Sequence, residues 1–324
     1  MTGRATIRMV AERAEVSVAT VSYVLSGRAG GNTRISAATR RRVVAAADAL
    51  GYVPNRQAQS MRTGRTHQVC LVLRHPHTPW SRAMAQEVSG TLGPAGFSTL
   101  ILVDGDWETF LLRGGADGAV IEASADAVPR LEALAARGVS LVVHGAGALE
   151  PRGFDAVVSD ESAACAAAMD LLTSRHRRVA CLGGTDGARH TAYLQGLARA
   201  GLPVDPGLVR FTGPSREVAY RAAIDLLSGA DRPGAIFAQS DLAAMAALWA
   251  AHRLGVAVPG ELEIVGAGNT PEGAAADPPL TSAGPEAIFA TIAGLLLSRL
   301  SGEASLPRVR AVPWTLHERA TTLP

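Results

Sequence analysis

The sequence predicts an α/β protein in two parts, a small all-helical head and a large body of two parallel-sheet subdomains. Three observations predict it. Charge is divided: residues 1–65 carry eleven arginines against Glu12, Glu15 and Asp48, a formal +8, and the remainder carries −6, so the near-neutral total of +2 hides a basic head on an acidic body. The head reads with a helical period. From Gln68 onward, short apolar runs alternate with helical stretches, the pattern of strands buried on both faces and joined by right-handed crossovers.

In the head, Ile7, Val10, Ala11 and Ala14 fall at i, i+3, i+4 and i+7, one apolar helical face with Thr6 as its cap. Ser17 caps a second helix through VATVSYVLSG, whose stripe is Val18, Val21, Val24 and Leu25 and whose stop is Gly27. The tight joint between them makes a helix-turn-helix candidate. After the glycine-rich GRAGGNTR loop, Ser36 caps a third helix, AATRRRVVAAADAL, ended by Gly51, with Arg40, Arg41 and Arg42 near its start. Three short helices with a small core and surplus arginine fit a polyphosphate partner.

In the body, strands are expected at 69–73, 98–103, 118–123, 140–145, 156–160, 178–184, 234–239 and 262–268. Helices are expected at 82–95, 126–137, 161–174, 187–200, 216–228 and 241–254. The stretch DGDWETFLLRGGAD is short for a full helix. With 48% hydrophobic residues the chain can bury a large core. No run reaches the length of a membrane span and the N-terminus reads as no signal peptide, so a cytoplasmic, nucleoid-associated protein is expected. Cys70, Cys165 and Cys181 lack metal-ligand spacing and read as buried thiols. His75-Pro76-His77 is too little for a metal site, and neither metal nor cofactor is expected. There is no Gly-x-Ser-x-Gly elbow, phosphate loop or dinucleotide fingerprint.

The segments TIRMVAERAEVSVATVSYVLSG and TRRRVVAAADALGYVPNRQAQSMRTG closely resemble the head of the lactose-repressor-type (LacI/GalR) family of bacterial transcription regulators. The resemblance implies a helix-turn-helix domain at 1–53, a hinge helix and linker at 54–66, and a periplasmic-binding-protein-like body at 67–324. The body would divide into an N-subdomain (about 67–160 and 286–310) and a C-subdomain (about 161–285 and 311–324). It implies a non-enzymatic, ligand-responsive repressor. A homodimer would bind a pseudo-palindromic double-stranded DNA operator, and a small, sugar-like effector between the subdomains would control DNA affinity. The alternative is an α/β sugar-binding protein or sugar-phosphate enzyme with an appended helical head.

DNA contacts are implied at Thr6, Ser17, Val18, Ala19, Thr20, Ser22, Tyr23, Asn55, Arg56, Ala58 and Met61. Val18 and Ala19 match the two variable reading positions, where apolar side chains can meet thymine methyls. Tyr23 stands where many members place arginine. Ala58 and Met61 match the residues that enter the minor groove, with Met61 as the wedge that kinks the duplex. In the body, Trp80 either stacks on a ligand or packs in its subdomain, and Asp160 either accepts ligand hydroxyls or caps a helix. Arg189 matches the effector-binding arginine, and Asp241 matches the aspartate of an Asn-Asp pair whose Asn is here Ser240. Gly266-Ala267-Gly268-Asn269 replaces the usual Gly-Phe-Asp-Asp, so effector contacts there do not carry over. Pro279-Leu280-Thr281 and the LHERATTLP ending do match.

Overall fold

A computed structural model of the chain describes residues 5–25, 35–53, 60, 64–103, 105–123, 125–146, 151–303 and 306–324. The chain separates into two compact units, 1–66 and 67–324. The Gly27 stop and the expected hinge helix, including Asn55, Arg56, Ala58 and Met61, lie outside the described residues.

The head contains α1 (Ile7–Arg13), α2 (Val18–Leu25) and α3 (Ala37–Leu50). The expected caps form: the Met9 amide donates to Thr6 Oγ1 (3.4 Å), Thr20 to Ser17 Oγ (3.1 Å) and Thr39 to Ser36 Oγ (3.1 Å). Gly51 closes α3 in the left-handed conformation, φ 60°. Glu15, at φ 52°, turns the chain between α1 and α2; no glycine marked that turn. The core is Val10, Ala11, Ala14, Val21, Val24, Val43, Ala46 and Ala47. Val18, expected in the apolar stripe of α2, is instead 42% exposed in the first turn, while Arg40, Arg41 and Arg42 are exposed on α3.

The body alternates strand and helix: β1 (Gln68–Val72), α4 (Pro79–Leu92), β2 (Ser98–Leu102), α5 (Trp107–Leu112), β3 (Gly118–Glu122), α6 (Val128–Ala135), β4 (Ser140–Ala146) and β5 (Asp155–Asp160). It continues with α7 (Ser162–Arg175), β6 (Val179–Gly183), α8 (Gly187–Arg199), β7 (Val209–Phe211), α9 (Arg216–Ser228), β8 (Ala235–Ala238), α10 (Asp241–Leu254), β9 (Glu263–Ala267), α11 (Pro271–Ala274) and β10 (Thr281–Gly284). It closes with α12 (Ile288–Leu300), β11 (Val309–Pro313) and β12 (Thr315–His317).

Two six-stranded sheets result, in the orders β11-β5-β4-β3-β1-β2 and β12-β10-β9-β8-β6-β7. Every pairing is parallel except β10 with β12. The chain passes between sheets three times: after β5, between β10 and α12, and at Trp314 between β11 and β12. Helix α12 packs Ile288, Ile292, Leu295, Leu296 and Leu300 against Val69, Leu71, Val120 and Val142 of the first sheet. The second sheet is covered on one face by α9 and α10 and on the other by α7 and α8.

One buried ionic cluster fastens the returning segment. Asp155, fully buried at the start of β5, accepts from Arg299 of α12 (2.9 Å) and from the Arg308 side chain (2.6 and 3.1 Å) and amide (2.8 Å). Burial pushes its carboxyl up, but the hydrogen bonds from Arg308 and Arg299 outweigh burial and hold it below the ordinary value of 3.8. Such a group stabilises the fold above its unfolded pKa, and that stability is lost as pH falls through the depressed folded value. Asp155→Ala strands two arginines and is expected to lower unfolding free energy by about 3 kcal/mol in urea titrations at neutral pH, less in acid. An unchanged midpoint would remove the cluster from the account of stability.

Candidate functional site

The carboxyl ends of both sheets open into one cavity of about 560 Å³. Its walls come from the turns after β1 (His75, Thr78, Trp80), β6 (Gly183, Gly184, Asp186, Arg189), β8 (Gln239, Asp241) and β9 (Gly268, Thr270). The last residue of β3 (Glu122), His144 and Ser159 near the ends of β4 and β5, Glu161 just past β5, and Trp314 at the last crossing complete it. Open parallel sheets place ligands at this end because the connecting turns and helix N-termini converge there.

Thr78 caps α4 by accepting from the Ser81 amide (3.2 Å), and Pro79 fixes the first turn, which sets Trp80 at the cavity wall. The Trp80 ring meets Phe289 edge-on at 4.7 Å between centroids and lies 5.7 Å from His144 and 6.2 Å from Trp314. Its Nε1–H donates to Glu122 Oε1 at 3.2 Å. Trp80 therefore packs on aromatic neighbours, as one of its two expected roles required, and also lines the cavity. Trp314 is only 6% exposed, and its Nε1–H has no acceptor among the described residues.

Glu122 and His144 are register partners on β3 and β4. Burial raises the Glu122 carboxyl, opposed by the Trp80 hydrogen bond and by the charges of Arg74 and His75. Burial, helped by the charge of Arg189, pushes His144 down to about 4, so it is a neutral imidazole at physiological pH.

Arg189, in the first turn of α8, is the most connected side chain of the site. Its Nε (2.8 Å) and Nη2 (2.7 Å) hold Glu161, its Nη1 donates to the Gln239 carbonyl (2.6 Å), and its guanidinium lies 4.9 Å above the Trp314 ring. Glu161 and Trp314 sit at two of the three crossings between sheets, so this one cation is tied to both. Gln239 clamps the turn that launches α8, donating to the Gly184 carbonyl (2.9 Å) and accepting from the Gly184 amide (3.0 Å). A Cβ at Gly183 would come within 2.6 Å of the Gln239 side chain, so glycine is needed there.

Asp241 reaches the cavity wall but is 2% exposed. Its carboxylate accepts from the Thr270 amide (2.6 Å), Thr270 Oγ1 (2.8 Å) and Ser282 Oγ (2.6 Å). Burial raises its pKa against those bonds. Asp241 thus positions the turn after β9, with most of its acceptor capacity already used. A Cβ at Gly266 would lie 2.5 Å from Asp241 Oδ1. Beyond it, Asn269 adopts φ 48°, donates to the Pro285 carbonyl (3.1 Å) and accepts from Arg319 (2.5 Å). Asn269 points back into the body and does not line the cavity.

Of the two roles expected of Asp160 the structure bears out the cap and corrects its place among the effector residues. Asp160 is exposed, does not line the cavity, and accepts from the Ser162 amide (2.9 Å) at the start of α7. The chain turns after β5, so the next residue, Glu161, faces the cavity. Sequence reading missed Glu161, Glu122, His144, Gln239 and Trp314. The available signal was a polar residue at or just beyond the end of an apolar strand run, as in GAVIE and LVVH.

In the head, Val18 and Ala19 stand exposed in the first turn of α2, while Val21 and Val24 are buried. Ser17 and Thr20 hydroxyls pair at 2.9 Å beside the free end of that helix, and Ser22 and Tyr23 are half-buried. An exposed helix N-terminus with hydroxyls and apolar tips suits a phosphate-flanked groove.

Residues 6–55 match the model of the bacterial regulatory proteins of the lacI family, and residues 168–322 match a periplasmic binding protein-like domain. The chain is 31% identical over 295 residues to the HTH-type transcriptional regulator DegA of Bacillus subtilis (strain 168), covering 86% of each protein. The chain belongs to the lacI family. It is similar in structure to another lacI-type regulator, CelR, solved as a cellobiose complex (28% identity, TM-score 0.61, 98% and 100% of the two chains). It also shares the fold of the lac repressor dimer bound to operator and the anti-inducer ONPF (22% identity, TM-score 0.74, 99% and 100% covered). As a lacI-family protein it is a transcriptional regulator, with the helix-turn-helix head and two-sheet α/β body that the sequence predicted. Among the described residues no helix is long and apolar enough to cross a membrane.

Proposed function

We propose that this regulator is a cytoplasmic, non-catalytic repressor that binds a pseudo-palindromic operator as a homodimer. A small hydroxylated molecule held in the body's cavity controls its grip on DNA. The observation that carries the reading is Arg189, which lines a cavity of ligand size and is bonded to both Glu161 and Gln239 while stacked on Trp314. A ligand that competes for this guanidinium disturbs two crossings between the sheets at once. The CelR structure, with its cellobiose, supports a sugar-like effector, and the lac repressor dimer on operator supports a dimer on DNA.

In this reading Val18 and Ala19 meet thymine methyls, Thr6, Ser17, Thr20 and Ser22 hold phosphates or base edges, and Tyr23 offers one hydrogen bond where arginine would offer two. In the same reading residues 54–66 act as hinge helix and linker, with Asn55 and Arg56 contacting DNA and Ala58 and Met61 entering the minor groove. Trp80 and Arg189 contact the effector directly, and Asp241 positions the wall. The test is a gel shift on DNA upstream of the protein's own gene across a salt series. A regulator with this head binds a palindrome whose affinity falls steeply with salt, by a logarithmic slope of about −0.9 per phosphate neutralised. Binding that ignores salt or sequence would overturn the reading.

A further inference from the structure

The cavity is acidic beyond the needs of its own fold. Four carboxyl side chains line it, Glu122, Glu161, Asp186 and Asp241, against the single guanidinium of Arg189; His75 and His144 complete its titratable lining. Arg189 is matched by Glu161. Asp241 is matched by three donors inside the wall. Asp186 is exposed to solvent at the turn. Glu122 is different. It is half-buried, its Oε1 takes only the Trp80 N–H, and among the described residues its Oε2 takes no hydrogen bond. The charged or titratable groups around it are Arg74, which is exposed, His75, and its strand partner His144.

Beside Glu122 stand the indole of Trp80 and, 6.2 Å from it, that of Trp314. A partly buried carboxylate with no cation in contact is relieved either by taking up a proton or by an arriving cation, and a ligand ammonium supplies the cation. Indole faces next to it favour that cation further. An anionic ligand, by contrast, would enter a cavity already in carboxylate excess. At the opposite wall, Arg189 uses three of its five N–H groups on Glu161 and Gln239, leaving two for neutral hydroxyl oxygens.

We infer that the effector is a small amine-bearing polyol, an amino sugar or amino alcohol, whose ammonium group seats against Glu122 and the Trp80 ring and whose hydroxyls meet Arg189. This rests on the effector-cavity reading above and narrows it. Sugar phosphates and sugar acids are disfavoured by the surplus of carboxyl groups, and a neutral sugar brings no cation to Glu122.

The test uses the full-length protein and matched triads of probes: glucose, glucosamine and glucose 6-phosphate, with the galactose equivalents, together with amino alcohols. Binding is read as thermal shift and tryptophan fluorescence change, at a pH where the amines are protonated. The expected result is that an amine member binds about tenfold or more tighter than its neutral counterpart, with no response to the phosphates. Glu122→Gln, which keeps size and the Trp80 acceptor but removes the charge, is expected to erase that preference. Blocking the amine, as in N-acetylglucosamine, is expected to do the same. Equal binding of neutral and amine members, a preference for phosphates, no response to any amine, or an amine preference that survives in a folded Glu122→Gln protein would each overturn the inference. Should an amine bind with the expected preference and leave operator affinity unchanged, the ligand assignment stands and it is the regulatory reading that fails.

Discussion

Arg189→Ala protein is expected to hold its operator as tightly as the wild type and to lose its response to ligand. The guanidinium makes two bonds to Glu161, one to the Gln239 carbonyl, and a stacking contact with Trp314. None of these residues belongs to the head, so DNA reading is untouched by the substitution itself. What disappears is the only side chain among those described that joins two of the crossings to the turn after β8. Allosteric coupling typically amounts to about 1–3 kcal/mol. Loss of one multidentate cation is therefore enough to remove it. The substitution also leaves Glu161 without its partner, a half-buried carboxylate that costs about 1–3 kcal/mol of stability. Arg189→Ala combined with Glu161→Gln restores part of that stability without restoring the response, which separates coupling from folding. Operator titrations with and without a cavity ligand measure the first effect, and urea midpoints the second. A response that persists at full size in the single variant would exclude Arg189 from the effector contacts.

Met61→Gly is expected to act in the opposite sense, weakening operator binding strongly while leaving ligand binding in the cavity intact. Met61 matches the family position whose apolar side chain wedges into the minor groove. Wedging trades a few kcal/mol of base unstacking for a bent duplex that makes more protein contacts. Glycine supplies no wedge and also disfavours the proposed hinge helix by about 1 kcal/mol in each chain of the proposed dimer. Together these predict a loss of about 100-fold or more in operator affinity by fluorescence anisotropy. Met61→Leu should retain most of it, because the volume and polarity of the wedge are kept. If Met61→Gly bound operator like the wild type, the wedge assignment would be wrong, whatever the behaviour of Arg189.

Most strand positions in the body were legible because they are short, largely buried apolar runs: VCLVL, GAVIE and EIVGA carry their burial in their composition. Helix α12 was not, since IFATIAGLLLSRL is apolar nearly all round and has no period to separate it from a strand. Strand β11 was missed for a different reason. It is an edge strand, mostly exposed, and ends in Pro313. In the site, Arg189 was legible through the resemblance, since GARHTAYLQGL matches the family segment that carries the effector-binding arginine. Asp241 was legible as polar but not as buried, because its three donors, Thr270 twice and Ser282, come from a turn 29 residues away and a strand 41 residues away. Asp160 and Glu161 differ only in which side of a turn they face, and two adjacent carboxylates give no hint of that. Trp314 reaches the cavity through the last crossing, a feature of topology with no local sequence signal. In the head, the caps Thr6, Ser17 and Ser36 and the core face were all legible. Val18 fell in the apolar stripe by its period and at an exposed reading position by the resemblance, and its exposure agrees with the second.

In the proposed mechanism, occupancy of the cavity changes the affinity of the head for DNA. The most direct measurement is the operator dissociation constant of the full-length protein with the cavity empty and with it saturated by the tightest-binding polyol or amino polyol, saturation being followed by tryptophan fluorescence. The account predicts a change of about 5- to 150-fold, matched by an equal change in ligand affinity when operator is present. A saturated cavity with the same operator constant would contradict it.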